Sequence, residues 1–417
     1  MREMKDSGIE WIGEIPKDWE ITKIGMLYNL RITKVSDTDY LPLSVTKMGV
    51  LPQLETVAKT NAHDDRKLVK KGDFVINSRS DRRGSCVISN YNGSVSLINT
   101  VLEPKNNMNS GYYSWLFKTV QFADEFYKNG HGIVDDLWTT GWQDMKRIVL
   151  PVPQYSEQQQ ITDFLDTQCS EIDATAEDIQ KEISLLEDYK KSVITEAVTK
   201  GLNPDAEMKD SGIEWLGKVP TNWNFSRVLY NIKFEGGSQP PLTEFVGDYR
   251  EGYIRLIQNR DYKTDAYKVY VPKKSVSKFC DEEDIMVGRY GPPLFVIHKG
   301  LKGAYNVALM KAVPIGINKQ FMYYFLHNST MLNYIESFSK RTAGQSGVNP
   351  EILKKYPMFL PNFSEQQQIA DYLDTQCSEI DTLIADKKRQ LDILADYKKS
   401  LIYEYVTGKK EVPVKDF

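Results

Sequence analysis

The stretch that begins at Ser156 constrains the fold of this chain most, because it returns 208 residues later, from Ser364. The two copies open as SEQQQITDFLDTQCSEID and SEQQQIADYLDTQCSEID, and neither proline nor glycine interrupts them for more than 40 residues. In both copies glutamine follows the serine three residues later, which is the spacing of a capping box at a helix start. The pattern predicts two long helices.

Apolar residues in both copies recur at alternating steps of four and three, which is typical of a coiled-coil seam. The predicted seam of the first helix comprises Ile172, Ala176, Ile179, Ile183, Leu186 and Val193, followed by Ala197. The predicted seam of the second comprises Ile380, Ile384, Leu391, Leu394 and Leu401, followed by Tyr405. Lys190 and Lys387 are charged interruptions. We expect the two stripes to bury each other.

The alternative is that each helix packs only on its own globular neighbour, as amphipathic helices usually do. A helix of about 43 residues, at 1.5 Å per residue, would be ~65 Å long. This length exceeds the width of a small domain and favours a helical spacer.

A second repeat frames the chain. Residues 4–19 (MKDSGIEWIGEIPKDW) return as residues 208–223 (MKDSGIEWLGKVPTNW), directly after the first long helix. The first copy is therefore expected beside the end of the second long helix, which makes the order circular. A tandem duplication with a pseudo-twofold axis explains this order and predicts antiparallel helices. We expect the repeat tryptophans to pack the connector onto the helices: Trp11, Trp19, Trp215 and Trp223.

The two segments between the repeats share an order of elements. Each has a short β-rich run that ends in arginine, KGDFVINSR from Lys71 and DEEDIMVGR from Asp281, followed by glycine turns typical of hairpins. Aromatic helical stretches and a proline-marked strand follow in both. We therefore predict an α/β (α+β) chain in which two similar globular domains are separated by two long antiparallel coiled-coil helices.

The predicted division of the chain follows from both repeats. It comprises an N-terminal repeat segment (1–19), a first domain (20–154), a central long helix (155–207), a second repeat segment (208–223), a second domain (224–362), a C-terminal long helix (363–409) and a tail (410–417).

Charge is distributed unevenly between helices and domains. The chain has a formal net charge of −4, while residues 156–200 carry −7 and residues 364–408 carry −4, which leaves about +7 on the remainder. An acidic spacer with basic domains is compatible with nucleic-acid binding by the domains.

The sequence carries no motif for catalysis. It contains no GxxxxGK[ST] phosphate loop, no HExxH zinc motif and no NPP[YF] or DPP[YF] tetrapeptide of amino-methyltransferases. The four histidines are scattered, and the four cysteines form no CxxC pair, so neither a metal site nor a disulfide framework is indicated. Without a signal-like segment or 18 consecutive apolar residues, we expect a cytoplasmic protein.

Loops in which arginine and lysine alternate with small polar and aromatic residues are the candidate DNA-binding positions. Arginine can bridge guanine O6 and N7, and asparagine or glutamine can bridge adenine N6 and N7. The first domain offers Lys47, Ser78, Arg79, Ser80, Arg82, Arg83, Thr139, Thr140 and Trp142. The second offers Gln239, Gln258, Asn259, Arg260, Arg289, Tyr290, Lys302, Arg341, Gln345 and Ser346. The alternative for any one of them is a solvated loop.

The MKDSGIEWIGEIPKDW opening, the helix entries LPVPQYSEQQQI and FLPNFSEQQQI, and the order domain, helix, domain, helix resemble the specificity subunits of Type I restriction-modification systems. The resemblance covers essentially the whole chain. It implies that each domain is a target-recognition domain that reads half of a split site in double-stranded DNA, with the helices as the ruler between them.

The resemblance also implies partners. Two copies of an adenine methyltransferase subunit, which binds S-adenosylmethionine, would dock on the helices, and separate restriction/translocase subunits would use ATP and Mg. We expect no cofactor in this chain, no membrane partner and no catalysis by the chain itself. The competing hypothesis is a DNA-binding scaffold or transcription regulator, which would lack adjacent methyltransferase and helicase-nuclease genes. A self-contained methyltransferase is opposed by the missing motifs.

Overall fold

The computed structural model describes residues 2–46, 49–53, 65–79, 84–105, 108–132, 138–291, 293–338 and 347–413. The chain divides into two compact units. Unit 1 comprises Met1–Gln180 with Arg389–Phe417, and unit 2 comprises Lys181–Lys388. Each unit therefore holds one globular segment and part of each long helix. None of the helices in the described ranges is long and apolar enough to cross a membrane.

Unit 1 contains a four-stranded sheet, a smaller sheet and short helices beside the long ones. Its elements are β1 (Met4–Asp6), β2 (Glu14–Pro16), β3 (Glu20–Lys23), α1 (Ile24–Leu27), β4 (Tyr28–Leu30), β5 (Lys34–Val35), β6 (Leu43–Thr46), β7 (Gly49–Pro52), β8 (Arg66–Val69), β9 (Phe74–Asn77), β10 (Cys86–Ile88), β11 (Gly93–Val95), β12 (Asn99–Pro104), α2 (Ser110–Phe117), α3 (Val120–Lys128), α4 (Trp142–Met145), β13 (Val149–Val152) and the start of α5 (Tyr155–Lys200). The main sheet is antiparallel with the order β10, β9, β12, β4, and the smaller sheet has the order β11, β8, β5.

Unit 2 repeats this plan. Its elements are β14 (Met208–Asp210), β15 (Lys218–Pro220), β16 (Asn224–Arg227), α6 (Val228–Asn231), β17 (Ile232–Gly236), β18 (Tyr253–Ile257), β19 (Tyr270–Pro272), β20 (Phe279–Cys280), β21 (Ile285–Gly288), β22 (Ile297–His298), β23 (Gly303–Tyr305), β24 (Leu309–Pro314), α7 (Lys319–Leu326), α8 (Ser329–Phe338), α9 (Pro350–Lys355), β25 (Pro357–Leu360) and the start of α10 (Phe363–Val406). A second sheet has the order β19, β18, β23, β20.

The main sheets of the two units have the same strand order. In unit 2 it is β22, β21, β24, β17, which matches unit 1 strand by strand, and the aromatic helices α2 and α7 follow β12 and β24. In both units this sheet, the aromatic helices and segments of α5 and α10 share one apolar core. The prediction of two copies of one α/β fold is confirmed.

The long helices bury a common stripe. Every seam residue named above is buried or half-buried. In unit 1, Asp173 of α5 faces Lys398 of α10, and nearer the start of α5 the Phe164 ring faces the Tyr405 ring. A step towards the start of α5, from Asp173 to Phe164, matches a step towards the end of α10, from Lys398 to Tyr405. The helices are therefore antiparallel, as predicted.

Lysines within the seam form ion pairs across it. The Lys190 Nζ lies 2.6 Å from Asp381 Oδ2 in unit 2, and the repeat-equivalent Lys398 Nζ lies 2.6 Å from Asp173 Oδ1 in unit 1. The aspartates are more than half exposed, so each pair contributes at most ~1 kcal/mol. A charged seam residue that is paired in one alignment favours that register.

The SEQQQ sequence ties each globular domain to its long helix. Gln158 Oε1 accepts a hydrogen bond from the Asn109 backbone N–H at 3.0 Å, and Gln366 Oε1 accepts one from the Asn318 N–H at 2.8 Å. The glutamine after each accepts from the side-chain amide of the same asparagine at 2.7 Å. These asparagines cap α2 and α7, so one network fixes an aromatic helix against a long helix.

The predicted capping boxes at Ser156 and Ser364 are wrong. The helices α5 and α10 begin one residue before these serines. At the start of α10 the Glu365 N–H donates instead to Asn362 Oδ1 at 3.0 Å. The glutamines that would complete the boxes bind Asn109 and its counterpart, because partners brought close by the fold outcompete the local arrangement.

The repeat connectors close the two units with the same hydrogen bond. Trp19 Nε1 donates to Glu157 Oε2 at 2.9 Å in unit 1, and Trp223 Nε1 donates to Glu365 Oε1 at 3.0 Å in unit 2. Both indole rings are buried. The tryptophans therefore anchor the connectors on the helix starts, as the sequence predicts.

The substitution Gly408→Ala is expected to destabilise unit 1. Gly408 follows α10 with φ of +71°, and a Cβ there would overlap the Pro16 ring and lie 3.0 Å from Trp19, because the two chain ends meet here in the predicted circular order. Left-handed backbone costs alanine ~1–2 kcal/mol. With the overlap added, we expect a loss above ~2 kcal/mol in the free energy of unfolding, measured by chemical denaturation.

The control for this prediction is Gly8→Ala, also in unit 1. Gly8 has φ of +66°, and a Cβ there would meet no atom within 4 Å, so this variant carries the backbone cost alone. Equal losses for the two variants would contradict the packing of Gly408 against the connector.

Candidate nucleic-acid interface

The arginines that end the β-rich runs lie at the same strand end in both domains, one residue out of register, because Arg289 matches Ser78 and Arg79 matches Tyr290. Arg79 follows β9 and Arg289 follows β21, which are equivalent strands of the main sheets. Arg79 forms a β-bridge with Thr139, and Tyr290, next to Arg289, forms one with Gly347. In each domain the arginine therefore lies where a central strand meets the end of a later loop.

Several strand ends of unit 2 converge on the segment that follows β23. Ser238 pairs with Asn306, and the Asn306 N–H donates to the Ile257 carbonyl at 3.1 Å. The Arg289 N–H donates to the Ala308 carbonyl at 2.8 Å. The structure thereby brings six predicted site residues to one edge of the domain: Gln239, Gln258, Asn259, Arg260, Arg289 and Tyr290.

Two guanidinium groups at this edge lie over aromatic rings. The Cζ of Arg289 is 5.3 Å from the Tyr290 ring centroid, and that of Arg260 is 5.4 Å from the Tyr267 centroid. The buried Nε of Arg289 finds no hydrogen-bond partner in the described part of the chain, and one terminal nitrogen lies 3.4 Å from the Val307 carbonyl. The planar, paired donors of a guanidinium suit the O6 and N7 edge of guanine.

The Asn259 side chain is held from the interior by His298. Its Oδ1 lies 2.7 Å from His298 Nε2, and the imidazole stacks on the Tyr262 ring with 4.1 Å between centroids. Burial lowers the pKa of His298 to about 4, so the ring is neutral near pH 7. A Cβ at Gly288 would lie 2.9 Å from the Asn259 amide, which explains glycine at this strand end. This contact set positions the turn Asn259–Tyr262, which carries Arg260.

Tyr262 and His298 were missed by sequence reasoning. They lie 36 residues apart, and no sequence pattern connects them. The stack of His298 on Tyr262 is packing that supports this edge of the domain.

In unit 1, two of the predicted site residues have hydroxyls that are engaged inside the domain. Ser78 Oγ lies 2.8 Å from Thr100 Oγ1, and Thr140 Oγ1 donates to the Phe126 carbonyl at 2.7 Å. Both side chains are buried. They support the exposed Arg79 from below, since the Thr140 N–H also donates to the Ser78 carbonyl at 3.0 Å.

Thr139 and Trp142 flank this support. Thr139 is half-buried and exchanges backbone hydrogen bonds with His131 at 3.0 Å. Trp142 begins α4 and packs, partly buried, on the core of unit 1. Among the described candidates of the first domain, Arg79 is the one with an exposed side chain.

Lys302 lies apart from the other candidates of unit 2. It precedes β23, whereas Asn306 follows that strand, and its Nζ lies 2.8 Å from Asp281 Oδ1. The remaining predicted residues lie outside the described ranges: Lys47, Ser80, Arg82, Arg83, Arg341, Gln345 and Ser346.

The interface holds hydrogen-bond donors and charge, and a metal centre is not found beside it. In the residues that the structure describes, no three His, Cys, Asp or Glu side chains are grouped as metal ligands are. The four cysteines are free and buried, and burial raises the pKa of the Cys86 thiol to about 12. The arrangement can recognise a polar, anionic partner.

A model of the family described as "Type I restriction modification DNA specificity domain" matches residues 16–185 and 238–392, which is more than half of the chain. The chain belongs to this family. It is a DNA specificity subunit of the type I restriction-modification class, and the resemblance noted from its motifs is confirmed.

Relatives of this specificity subunit match along nearly its whole length. It is 23% identical over 446 residues to the Type I restriction enzyme MjaVIII specificity subunit of Methanocaldococcus jannaschii, covering 95% of this chain and 94% of the relative. It is 24% identical over 440 residues to the putative type I restriction enzyme MjaX specificity subunit of the same organism, covering 96% of each.

The fold of the specificity subunit is also found in a solved structure. A chain from work on complex assembly and conformational transition of the type I R-M system matches with a TM-score of 0.70 at 12% sequence identity. The match covers 95% of this chain and 99% of that chain, which shows a common fold.

This specificity subunit carries a second repeated surface, on the flanks of its long helices. Six exposed apolar side chains of the helices occur in repeat-equivalent pairs: Tyr155 and Phe363, Leu185 and Ile393, Tyr189 and Tyr397. All six are more than half exposed. Exposed apolar groups at matching places on two helices indicate a protein contact surface.

Acid is expected to weaken unit 2 through His298. Its pKa in the folded chain is about 4, below the ordinary value of 6.5, so the unfolded chain binds the proton more readily. The stabilising contribution is therefore complete above pH 6.5 and is lost as the pH falls towards 4. His327 and Lys263 act in the same direction by repulsion.

The measurement is the free energy of unfolding of unit 2 at pH 7 and pH 4.5. His298→Gln keeps an amide donor for Asn259 and should lose less stability between these pH values than the parent. His131→Gln changes an exposed histidine of unit 1 and should behave as the parent. Identical acid losses in parent and His298→Gln would show that another group titrates.

Proposed function

We propose that each domain reads one half of a bipartite site in double-stranded DNA. The observation that supports this most is that Arg79 and Arg289 lie at the same strand end of two copies of one fold, where Ser78 matches Arg289 and Arg79 matches Tyr290. One scaffold that presents different side chains at one place can read different sequences in one geometry. The domains that we propose for this reading are 20–154 and 224–362.

Base contacts are proposed for the edge of unit 2 around Arg289. The guanidinium of Arg289 offers paired donors of the kind that recognise a guanine edge, and Gln258 and Arg260 belong to the same edge of the domain. Asn259 is anchored through its oxygen and presents its amide nitrogen as a donor. The basic remainder of the domains would contact phosphates, which supply affinity without sequence information.

We also propose that the long helices set the spacing between the half-sites and dock two copies of a methyltransferase subunit. The exposed apolar pairs support two equivalent docking places, because each occurs once on α5 and once on α10. The methyltransferase copies would bring S-adenosylmethionine, and separate restriction/translocase subunits would bring ATP and Mg. This chain would act in the cytoplasm without catalysing either reaction.

The substitution Arg289→Ala is expected to weaken DNA binding by ~1–3 kcal/mol and to relax one position of the site. Mapping of methylated adenines in the native genome first gives the half-sites. Competition with duplexes that carry each base at each position then measures the loss.

Lys302→Ala is the matched control in the same domain. Lys302 is paired with Asp281 away from the strand ends, so its loss should change affinity little and equally for all sequences. If Arg289→Ala weakens every sequence equally and mainly reduces the salt dependence, Arg289 contacts phosphate and the assignment of a base contact fails.

Inserting four residues after Ala176 in α5 is expected to widen the gap between half-sites. The insertion lengthens the helix by about 6 Å, and DNA rises about 3.4 Å per base pair, so the gap should grow by about one to two base pairs. The lower value arises if the helices are inclined to the DNA or the insertion only unwinds the seam locally. The half-site sequences should stay unchanged.

The measurement is methylation of a library of half-sites at varied spacing by the assembled complex. A second variant with the matched insertion after Ile384 in α10 restores equal helix lengths and should shift the gap at least as far. If methylation is retained at the original gap in both variants, the helices do not set the spacing.

A further inference from the structure

Arg2 fills a polar site between the connector and the start of α5 in unit 1. Its Nε donates to Asp18 Oδ1 at 3.0 Å, a terminal nitrogen donates to Glu157 Oε2 at 3.1 Å, and its Cζ lies 5.8 Å from the Trp19 ring centroid. The hydrogen bond to Glu157 raises the pKa of Arg2 above its ordinary value. The guanidinium therefore satisfies the carboxylate that also accepts from the indole.

Unit 2 contains the same anchor without the cation. Trp223 Nε1 donates to Glu365 Oε1 at 3.0 Å, but the residue at the place of Arg2 is Ala206, and Asn222 replaces the aspartate. Within the described ranges, Glu365 forms no salt bridge, whereas Glu157 of unit 1 forms one with Arg2.

A cavity of about 440 Å³ opens at this place in unit 2, and we name it the Glu365 cavity. Its polar lining comprises Glu365, Ser364, Asn222, Asn362, Gln368, Asn203 and Lys200. The volume lies in the ~300–1,000 Å³ range of ligand sites. Among the described residues, Lys200 is the cation in this lining, and its ammonium lies 3.8 Å from the carboxylate of Glu196.

The chemistry of the Glu365 cavity favours a guanidinium. Glu365 lies in the first turn of α10, and a carboxylate there is an acceptor for paired donors. A guanidinium donates two parallel hydrogen bonds to a carboxylate and lies flat on an aromatic ring, which an ammonium group cannot do as well. Arg2 makes both kinds of contact with Glu157 and Trp19 in unit 1.

We propose that the Glu365 cavity binds an arginine side chain of the methyltransferase copy that docks at the start of α10; this inference rests on the proposed docking of that subunit. Phe363 is 60% exposed beside Ser364, so the cavity continues into the proposed docking surface. At the other helix start, Arg2 of the chain itself occupies the equivalent place. The two copies of the methyltransferase would therefore dock with different requirements.

The test is a titration of the full chain with the methyltransferase subunit of the same system, with bound copies counted by native mass measurement. The parent is expected to bind two copies. Glu365→Gln keeps an acceptor for Trp223 but removes the charge, and should weaken the second copy at least ~10-fold. Ala206→Arg supplies a guanidinium from the chain itself and should weaken the same copy.

Glu157→Gln is the matched control, because it makes the same change at the equivalent place in unit 1. It should leave the affinity of the copy that docks at α10 as in the parent. Circular dichroism of each variant verifies the fold, and Ala206→Arg changes a half-buried position that does not touch the Trp223 hydrogen bond.

Failure of the arginine site can be distinguished from failure of the docking proposal. If folded Glu365→Gln and Ala206→Arg both bind two copies with parental affinity, the arginine site is overturned and the proposed docking stands. If the parent chain binds fewer than two copies at saturation, both the docking proposal and the arginine site are overturned.

Discussion

Burial of one apolar stripe between two antiparallel helices is the constraint on which the rest of this structure depends. Each unit takes part of α5 and the opposite part of α10, so neither globular segment completes its core with one helix alone. Ile161 and Leu401 share the core of unit 1, and Ile194 and Ile369 share that of unit 2. The seam therefore joins segments that lie far apart in sequence, in addition to the contacts within each globular domain.

The parts of the fold that could be predicted are those written in local patterns. The helices and their seam follow from a periodicity repeated twice over many turns, and the location of Arg79 and Arg289 at matching strand ends follows from a β-rich run that ends in arginine. The direction in which a loop side chain points does not follow from such a local pattern. Ser78 and Thr140 are predicted to contact DNA, but their hydroxyls form hydrogen bonds with Thr100 and Phe126 inside the domain.

The features that sequence reasoning missed are polar contacts between distant residues. A capping box is a local rule, and it failed because Gln159 accepts a hydrogen bond from the Asn109 side chain, 50 residues away. In the same way, Arg2 finds Glu157 across 155 residues. No spacing rule links such pairs, because the fold brings them together and the hydrogen bonds form afterwards.

The two units differ at their outward-facing surfaces. The duplication therefore does not make these surfaces equivalent. The Phe164 and Tyr405 rings lie 4.5 Å apart in unit 1, whereas in unit 2 the equivalent Tyr372 is 40% exposed in a cavity of about 940 Å³ that also contains Ala197, the counterpart of Tyr405. The inward anchors of glutamine, asparagine and tryptophan are the same in both units. Small side chains in unit 2 thus leave room that large or charged side chains fill in unit 1. A partner that binds both copies must accept one closed surface and one open surface on the same framework.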